Sequence, residues 1–153
     1  MNIWWCNQGT YWEQEKQAGI VCSSESQNNP FRSNVGDAKA GDIIVHYRKP
    51  NIVAFSRAKE NGVHHNQLPP LPGVDYGSGW RFATEYWALQ NPIHRDGFRQ
   101  ALIPHSVKYY PIAKNGNVKQ GYFFPFDETG LQILLNQVHE PIPAWLEQFI
   151  PLK

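Results

Sequence analysis

The stretch NIWWCNQGTYW, residues 2–12, sets Trp4, Trp5, Tyr11 and Trp12 around Asn7 and Gln8. A hydrophobic core uses rings but has no use for two flat amides. A pocket for a planar heterocycle uses both: rings stack on its faces, and amides, hydroxyls and backbone groups read its polar edge. Each stacked base is worth roughly 1–3 kcal/mol. Trp4, Trp5, Asn7, Gln8 and Tyr11 are therefore candidates for the wall of such a pocket. His46 and Tyr47, at the end of an apolar strand, add a second pair of rings, and Trp80 opens a further strand after a long loop. Successive strand residues point to opposite faces, so one of the two adjacent tryptophans should face a core.

Basic side chains cluster modestly. Arg48 and Lys49 sit on a hairpin turn, Arg57 and Lys59 further along it, and Arg32 and Lys39 in the loop before it. Arg32, Lys39, Arg48, Lys49 and Arg57 are the candidate phosphate contacts; a solvated surface is the plain alternative. Lys108, Lys114 and Lys119 flank another turn-rich stretch and are open to the same two readings, phosphate contact or solvated surface.

Other chemistries leave weaker marks. The six histidines and two cysteines show no CxxC, HxxxH or HExxH spacing, so no metal site and no cofactor are expected. His64 and His65 are adjacent, point to different sides and read as solvated loop residues. There is no phosphate-binding glycine loop. Cys6 is a conceivable thiol nucleophile, but on a strand it reads as a small packed residue.

Composition bounds the class. The chain has 153 residues, the size of one domain, with 41% hydrophobic and 18% charged residues and 14% aromatics. That excludes whole-chain disorder. A net charge of +1 argues against strong nonspecific nucleic-acid binding while leaving room for a local basic face. Cys6 and Cys22 are expected as free thiols in a reducing cytoplasm. No signal peptide or membrane-length apolar run is visible.

The elements that must position these residues follow from pattern. Residues 3–7 read as a short aromatic strand. Thr10 and Glu13 fit a capping box for a helix to about Gln17, closed by Gly19. Residues 20–22 suit another strand, and 23–35 a polar loop. Residues 43–47 and 52–59 form a hairpin across Lys49-Pro50-Asn51. Residues 61–79 read as one long loop. Residues 80–89 make a strand with Trp80, Phe82, Thr84 and Tyr86 on one face, ended by Asn91-Pro92. A helix over 94–103 would bury Phe98, Ala101 and Leu102. A strand at 121–126 precedes a helix carrying Leu131, Leu134, Leu135 and Val138. Pro143 then opens a last short helix with Trp145 and Phe149 on its apolar side. The expected fold is α+β: a small, twisted, mostly antiparallel, barrel-like sheet with flanking short helices.

The ordered set WWCNQGTYWEQE (4–15), GDIIVHY (41–47), IVAFSRA (52–58), EYWALQNPI (85–93) and NGNVKQGYFFPFD (115–127) resembles the EVE domain. It is most similar to the version at the N-termini of modification-dependent restriction proteins. EVE belongs to the PUA-like superfamily, beside YTH and ASCH. The match spans nearly the whole chain and implies a single EVE-like domain over residues 1–153. It implies a twisted barrel-like sheet and a pocket for a flipped-out modified base, commonly 5-methylcytosine or 5-hydroxymethylcytosine in DNA. Trp4 or Trp5, Asn7, Gln8, His46 and Tyr47 lie on the matching motifs; Trp80 is added from its chemistry alone. Restriction proteins of this kind carry a nuclease or NTPase, so such a domain or subunit, outside this chain, is an implied partner.

The expected function is a non-catalytic nucleic-acid reader with an aromatic cage, DNA favoured over RNA, with no membrane association. Three alternatives stay open: an RNA-binding module, a small enzyme using Cys6, His46 or Glu85, and a nucleoside-binding protein.

Overall fold

The computed structural model describes residues 1–25 and 31–150. The middle of the polar loop expected at 23–35 lies outside the described residues. The fold is α+β, with a curled, barrel-like sheet and short helices. The strands are β1 (Ile3–Asn7), β2 (Ile20–Ser24), β3 (Ile43–Arg48), β4 (Asn51–Ala58), β5 (Val63–His65), β6 (Gly79–His94) and β7 (Phe123–Phe126). The helices are α1 (Trp12–Ala18), α2 (Arg99–Leu102), α3 (Glu128–Leu135) and α4 (Ala144–Glu147). The sheet runs β2-β6-β4-β3-β1-β7, with β5 also on β6. β1 is parallel to β3, and the other pairs are antiparallel. A parallel pair needs a crossover, and α1 with β2 lies on it.

Both faces of the sheet are buried. On one, Trp4, Cys6, Val21, Ile44, Phe82 and Phe123 form a core. On the other, Ile3, Trp5, Val45, Phe55 and Phe124 pack with Phe98, Leu102, Leu131, Leu134, Leu135, Leu146 and Phe149 from the C-terminal helical region. The 3-10 turn Ser33–Asp37 bridges the two sheet edges: it contacts β2, β6 and β7, and Asn34 Nδ2 donates to Phe123 O at 2.9 Å.

Several local expectations are corrected. The Thr10–Glu13 capping box does not form. α1 starts at Trp12 with Tyr11 at its N-cap and no side-chain cap bond, so Thr10 and Glu13 fall one position out of register, and Glu13 pairs with Lys16 instead. Gly19 does end α1 in the left-handed conformation, φ 70°. The loop at 61–79 contains β5, which puts His64 and His65 on an edge strand. β6 passes through Asn91-Pro92 to His94. The segment between Ala88 and Ile93 bulges opposite β4, and Glu140 accepts from the Gln90 and Asn91 backbone amides at 2.8 Å each, so a proline there breaks no ladder bond. The helix expected over 94–103 shrinks to α2 between two 3-10 turns, and one turn buries Phe98 and Leu102 but leaves Ala101 exposed. Val138 lies past the end of α3, packed against its core from outside the helix. Asp127 caps α3 by accepting from Gly130 N at 2.7 Å.

Candidate functional site: a tyrosine hollow and a basic cleft

Beyond β1 the chain runs between two cavities, and Asn7 lines both. The smaller, about 330 Å³, is walled by Tyr11, Tyr76 and Tyr122, with Glu15, Cys22 and Arg32 beside them. Tyr11 and Tyr76 meet edge to face, ring centres 5.9 Å apart. Tyr11 is 38% exposed and stands at the mouth, while Tyr76 and Tyr122 are buried.

Glu15 is the charged centre of this hollow. Trp12 and Glu15, three residues apart, share the buried face of α1. The Tyr122 hydroxyl donates to Glu15 Oε1 at 2.9 Å, and the Tyr76 hydroxyl to Oε2 at 3.0 Å. Burial pushes the carboxyl up to about 7, against the opposing pull of Tyr122, Tyr76, the Cys22 backbone amide and Arg32. The carboxyl therefore exchanges its proton near neutrality. Burial, then the neighbouring Glu15, raises the Tyr76 hydroxyl, so it remains a protonated donor. The Arg32 guanidinium lies 5.5 Å from the centre of the Tyr122 ring and donates to Ser24 O at 3.3 Å.

The larger cavity is a cleft of about 600 Å³ lined by Asn7, Gln8, Tyr47, Lys49, Arg95, Arg99 and residues 117–121. It holds four basic side chains, counting Lys119, and no carboxylate. Asn7 pins its floor: Nδ2 donates to Lys119 O at 2.9 Å and Gly121 O at 2.7 Å, and Oδ1 accepts from Trp5 Nε1 at 2.7 Å. Gly121 has φ 144°, and a Cβ there would lie 2.5 Å from the Phe124 ring, so the floor requires glycine.

The structure divides the residues expected in one aromatic wall. Trp4 and Trp5 line neither cavity. Trp5 is fully buried in the helix-covered core, and Trp4 stacks on Phe123 in the other, its Nε1 donating to Asp42 Oδ2 at 3.0 Å. Because both faces of the sheet carry a core, both tryptophans are structural. His46 is fully buried too. Its Nδ1 accepts from Gln8 Nε2 at 2.9 Å and its Nε2 faces Ser56 Oγ at 2.7 Å; burial lowers it to about 3, so it is neutral. Gln8 borders the cleft but spends its amide nitrogen on His46, leaving Oε1 without a partner. Asn7 is committed to the floor. Trp80 packs on the 3-10 turn, where a Cβ on Gly36 would fall 2.8 Å from its ring, and lines neither cavity. Tyr11 is in the hollow and Tyr47 in the cleft.

Of the expected phosphate contacts, Lys49 and Lys119 line the cleft and Arg32 the hollow. Arg48 and Lys39 are exposed away from both. Arg57 is taken up by Glu85 at 3.0 Å and by the Trp145 ring, which also occupies the carboxylate considered for catalysis. Burial, then Glu15, raises the Cys6 thiol well above its usual range, and the same causes push Cys22 up to about 12, so neither is a ready nucleophile.

Residues not singled out in the sequence complete both cavities: Glu15, Tyr76 and Tyr122 in the hollow, Arg95 and Arg99 in the cleft. A carboxylate three residues after a tryptophan on a helix face was a readable sign for Glu15, and the i, i+4 spacing of Arg95 and Arg99 for the cleft. Tyr76 and Tyr122 come from distant loops and carry no local sign.

Among the described residues, no group of three or more His, Cys, Asp or Glu is placed to hold a metal, and no helix is long and apolar enough to cross a membrane. No family model matches the chain, and no curated protein matches it. Among solved structures, the chain is similar to the NMR structure of Rpa0253 from Rhodopseudomonas palustris, a structural genomics target. The two share 14% identity over 69% of this chain and 72% of the other, with a TM-score of 0.42.

Proposed function

We propose that this chain is a non-catalytic, EVE-like reader of nucleic acid that takes a flipped-out modified base into the tyrosine hollow. The observation that carries this reading is the union of three tyrosine rings with a buried carboxyl in a hollow of about 330 Å³, within the size range of ligand pockets. The rings stack on a base, and Glu15 meets its polar edge. The exocyclic amino group of 5-methylcytosine or 5-hydroxymethylcytosine suits that acceptor. Flipping costs a few kcal/mol, which stacking at roughly 1–3 kcal/mol per base and a hydrogen bond to a charged group at about 1.5–3 kcal/mol together offset. The cage is therefore tyrosine-built, and the tryptophans support it from beneath.

Non-catalysis fits the fate of the candidate nucleophile and bases: Cys6 and His46 are sealed, and Glu85 is paired on the surface. In this reading the domain is the recognition module of a modification-dependent restriction system in the cytoplasm, and a nuclease or NTPase on another chain or domain supplies the chemistry.

The test is fluorescence anisotropy at one fixed salt concentration, with a duplex carrying cytosine, 5-methylcytosine, 5-hydroxymethylcytosine or N6-methyladenine, and with a matched RNA. A preference of tenfold or more for one modified duplex, about 1.4 kcal/mol, is expected. Equal affinity for all the DNA forms defeats the modified-base reading, and tighter binding of the RNA moves the assignment to an RNA-binding module.

A further inference from the structure

We propose that the cleft lined by Tyr47, Lys49, Arg95, Arg99 and Lys119 is a phosphate seat, with Tyr47 and Arg95 as its innermost donors. This deepens the base-reading proposal by naming where the strand's phosphate rests, and it stands on separate observations.

The first is charge. Four basic side chains line the cleft, and no carboxylate does. Arg99 is bonded to Asp96 at 3.2 Å, but Asp96 is outside the lining, and a guanidinium has five N–H donors. The second is unmet hydrogen bonding. Tyr47 is only 4% exposed and its hydroxyl lies against the Arg95 side chain, yet neither that hydroxyl nor Arg95 Nε completes a well-formed hydrogen bond. Buried polar atoms are nearly always well paired, so two adjacent groups left short of a good bond in one cavity suit a ligand that accepts from both. The third is donor character. Lysine and arginine only donate, and burial, against the pull of Arg95, raises the Tyr47 hydroxyl so that it keeps its proton. A set of donors under net positive charge complements an oxygen-rich anion, and arginine forks match phosphate geometry.

Position connects the two cavities. Asn7 borders both. In this reading, a strand whose base enters the hollow runs past Asn7 toward the cleft. Arg95 and Arg99 were not among the expected phosphate contacts; of those that were, Lys49 and Lys119 line this seat. A phosphate here could belong to a nucleic-acid strand or to a free phosphate ester.

The test is a salt series of anisotropy titrations with a labelled single-stranded oligonucleotide, comparing the wild type, Arg95→Gln/Arg99→Gln and Tyr47→Phe, each shown folded by circular dichroism. In parallel, inorganic phosphate and a nucleoside 5′-monophosphate are titrated while NMR signals of Tyr47 and Arg95 are followed. The double variant should lose at least tenfold in affinity for modified and unmodified strands alike, with a salt slope shallower by about 1–2. Tyr47→Phe removes one donor, leaves the fold's contacts intact and should weaken binding severalfold. Unchanged affinity and slope in both variants overturn the seat even if base preference persists. Phosphate-dependent binding without base preference keeps the seat and defeats the reader. Nucleoside monophosphate bound as tightly as the strand keeps the seat but assigns it to a free phosphate ester. No response to strand, inorganic phosphate or monophosphate overturns it outright.

Discussion

The Tyr122 hydroxyl donates to Glu15 Oε1 at 2.9 Å across 107 residues of chain. That bond ties α1 to the residue just before β7, and with the matching bond from Tyr76 it holds a carboxyl away from water. Tyrosine donors lower the pKa of Glu15, yet burial wins and leaves it near neutrality. A carboxyl so placed costs stability when ionised, which is characteristic of groups kept for binding rather than for the fold.

Stability should therefore depend on pH in two opposed ways. Glu15 is raised from 4.5 to about 7, so its contribution is full below pH 4.5 and is lost as pH rises to about 7. His46 is lowered from 6.5 to about 3, so its contribution is full above pH 6.5 and is lost as pH falls to about 3. The shifts correspond to about 3 and about 5 kcal/mol respectively. Between pH 4.5 and 6.5 the two slopes largely cancel, and below 4.5 the histidine acts alone. Urea midpoints across pH 3–8 should show a plateau and then a steep acid loss. Glu15→Gln removes one slope, so its midpoints should climb relative to wild type from pH 4.5 to 7; parallel profiles would rule out a buried titrating Glu15.

Trp5→Ala should destabilise the fold by about 3–5 kcal/mol, the cost of emptying a buried aromatic site. Trp5 is fully buried, and its ring packs near Tyr47, Phe98 and Phe126. Trp4→Ala should cost a similar amount and remove one of the donors to the Asp42 carboxylate, which keeps the Asn2 and Lys39 backbone amides. Chemical denaturation measures both. Losses under 1 kcal/mol would mean that the tryptophans are free to serve a ligand after all.

Tyr11→Ala should behave in the opposite way. The ring is at the mouth of the hollow and 38% exposed, so its removal should shift stability by less than about 1 kcal/mol. Base binding should fall about tenfold, the value of one stacking partner. Comparing urea midpoints with anisotropy separates the two effects; a large stability loss with unchanged affinity would place Tyr11 in the scaffold.

The contrast between Trp5 and Tyr11 shows which part of the site was legible in the sequence. The aromatic–amide stretch is the segment that lies between the two cavities, and Asn7, Gln8 and Tyr11, local to it, line one or both. Strand alternation required one tryptophan to face inward, but it could not reveal that both faces are covered, since α3 and α4 arrive more than 100 residues later. The hairpin, the aromatic strand before α3 and the leucine stripe of α3 were readable from short-range periodicity. Glu15, Tyr76 and Tyr122 were not assembled, because their meeting depends on long-range packing. Trp80 on β6 was misplaced for a related reason: it has the right type, but Gly36 supplies the surface it packs on.

The most direct measurement is an NMR titration with a single-stranded oligonucleotide carrying one 5-methylcytosine, observing the ring signals of Tyr11 and Tyr76 and the indole N–H signals of Trp4 and Trp5. A base seated in the hollow predicts large ring-current shifts at the two tyrosines, saturating together, with the buried indoles nearly still. Shifts absent from Tyr11 and Tyr76 while the strand binds elsewhere would contradict a base-reading hollow.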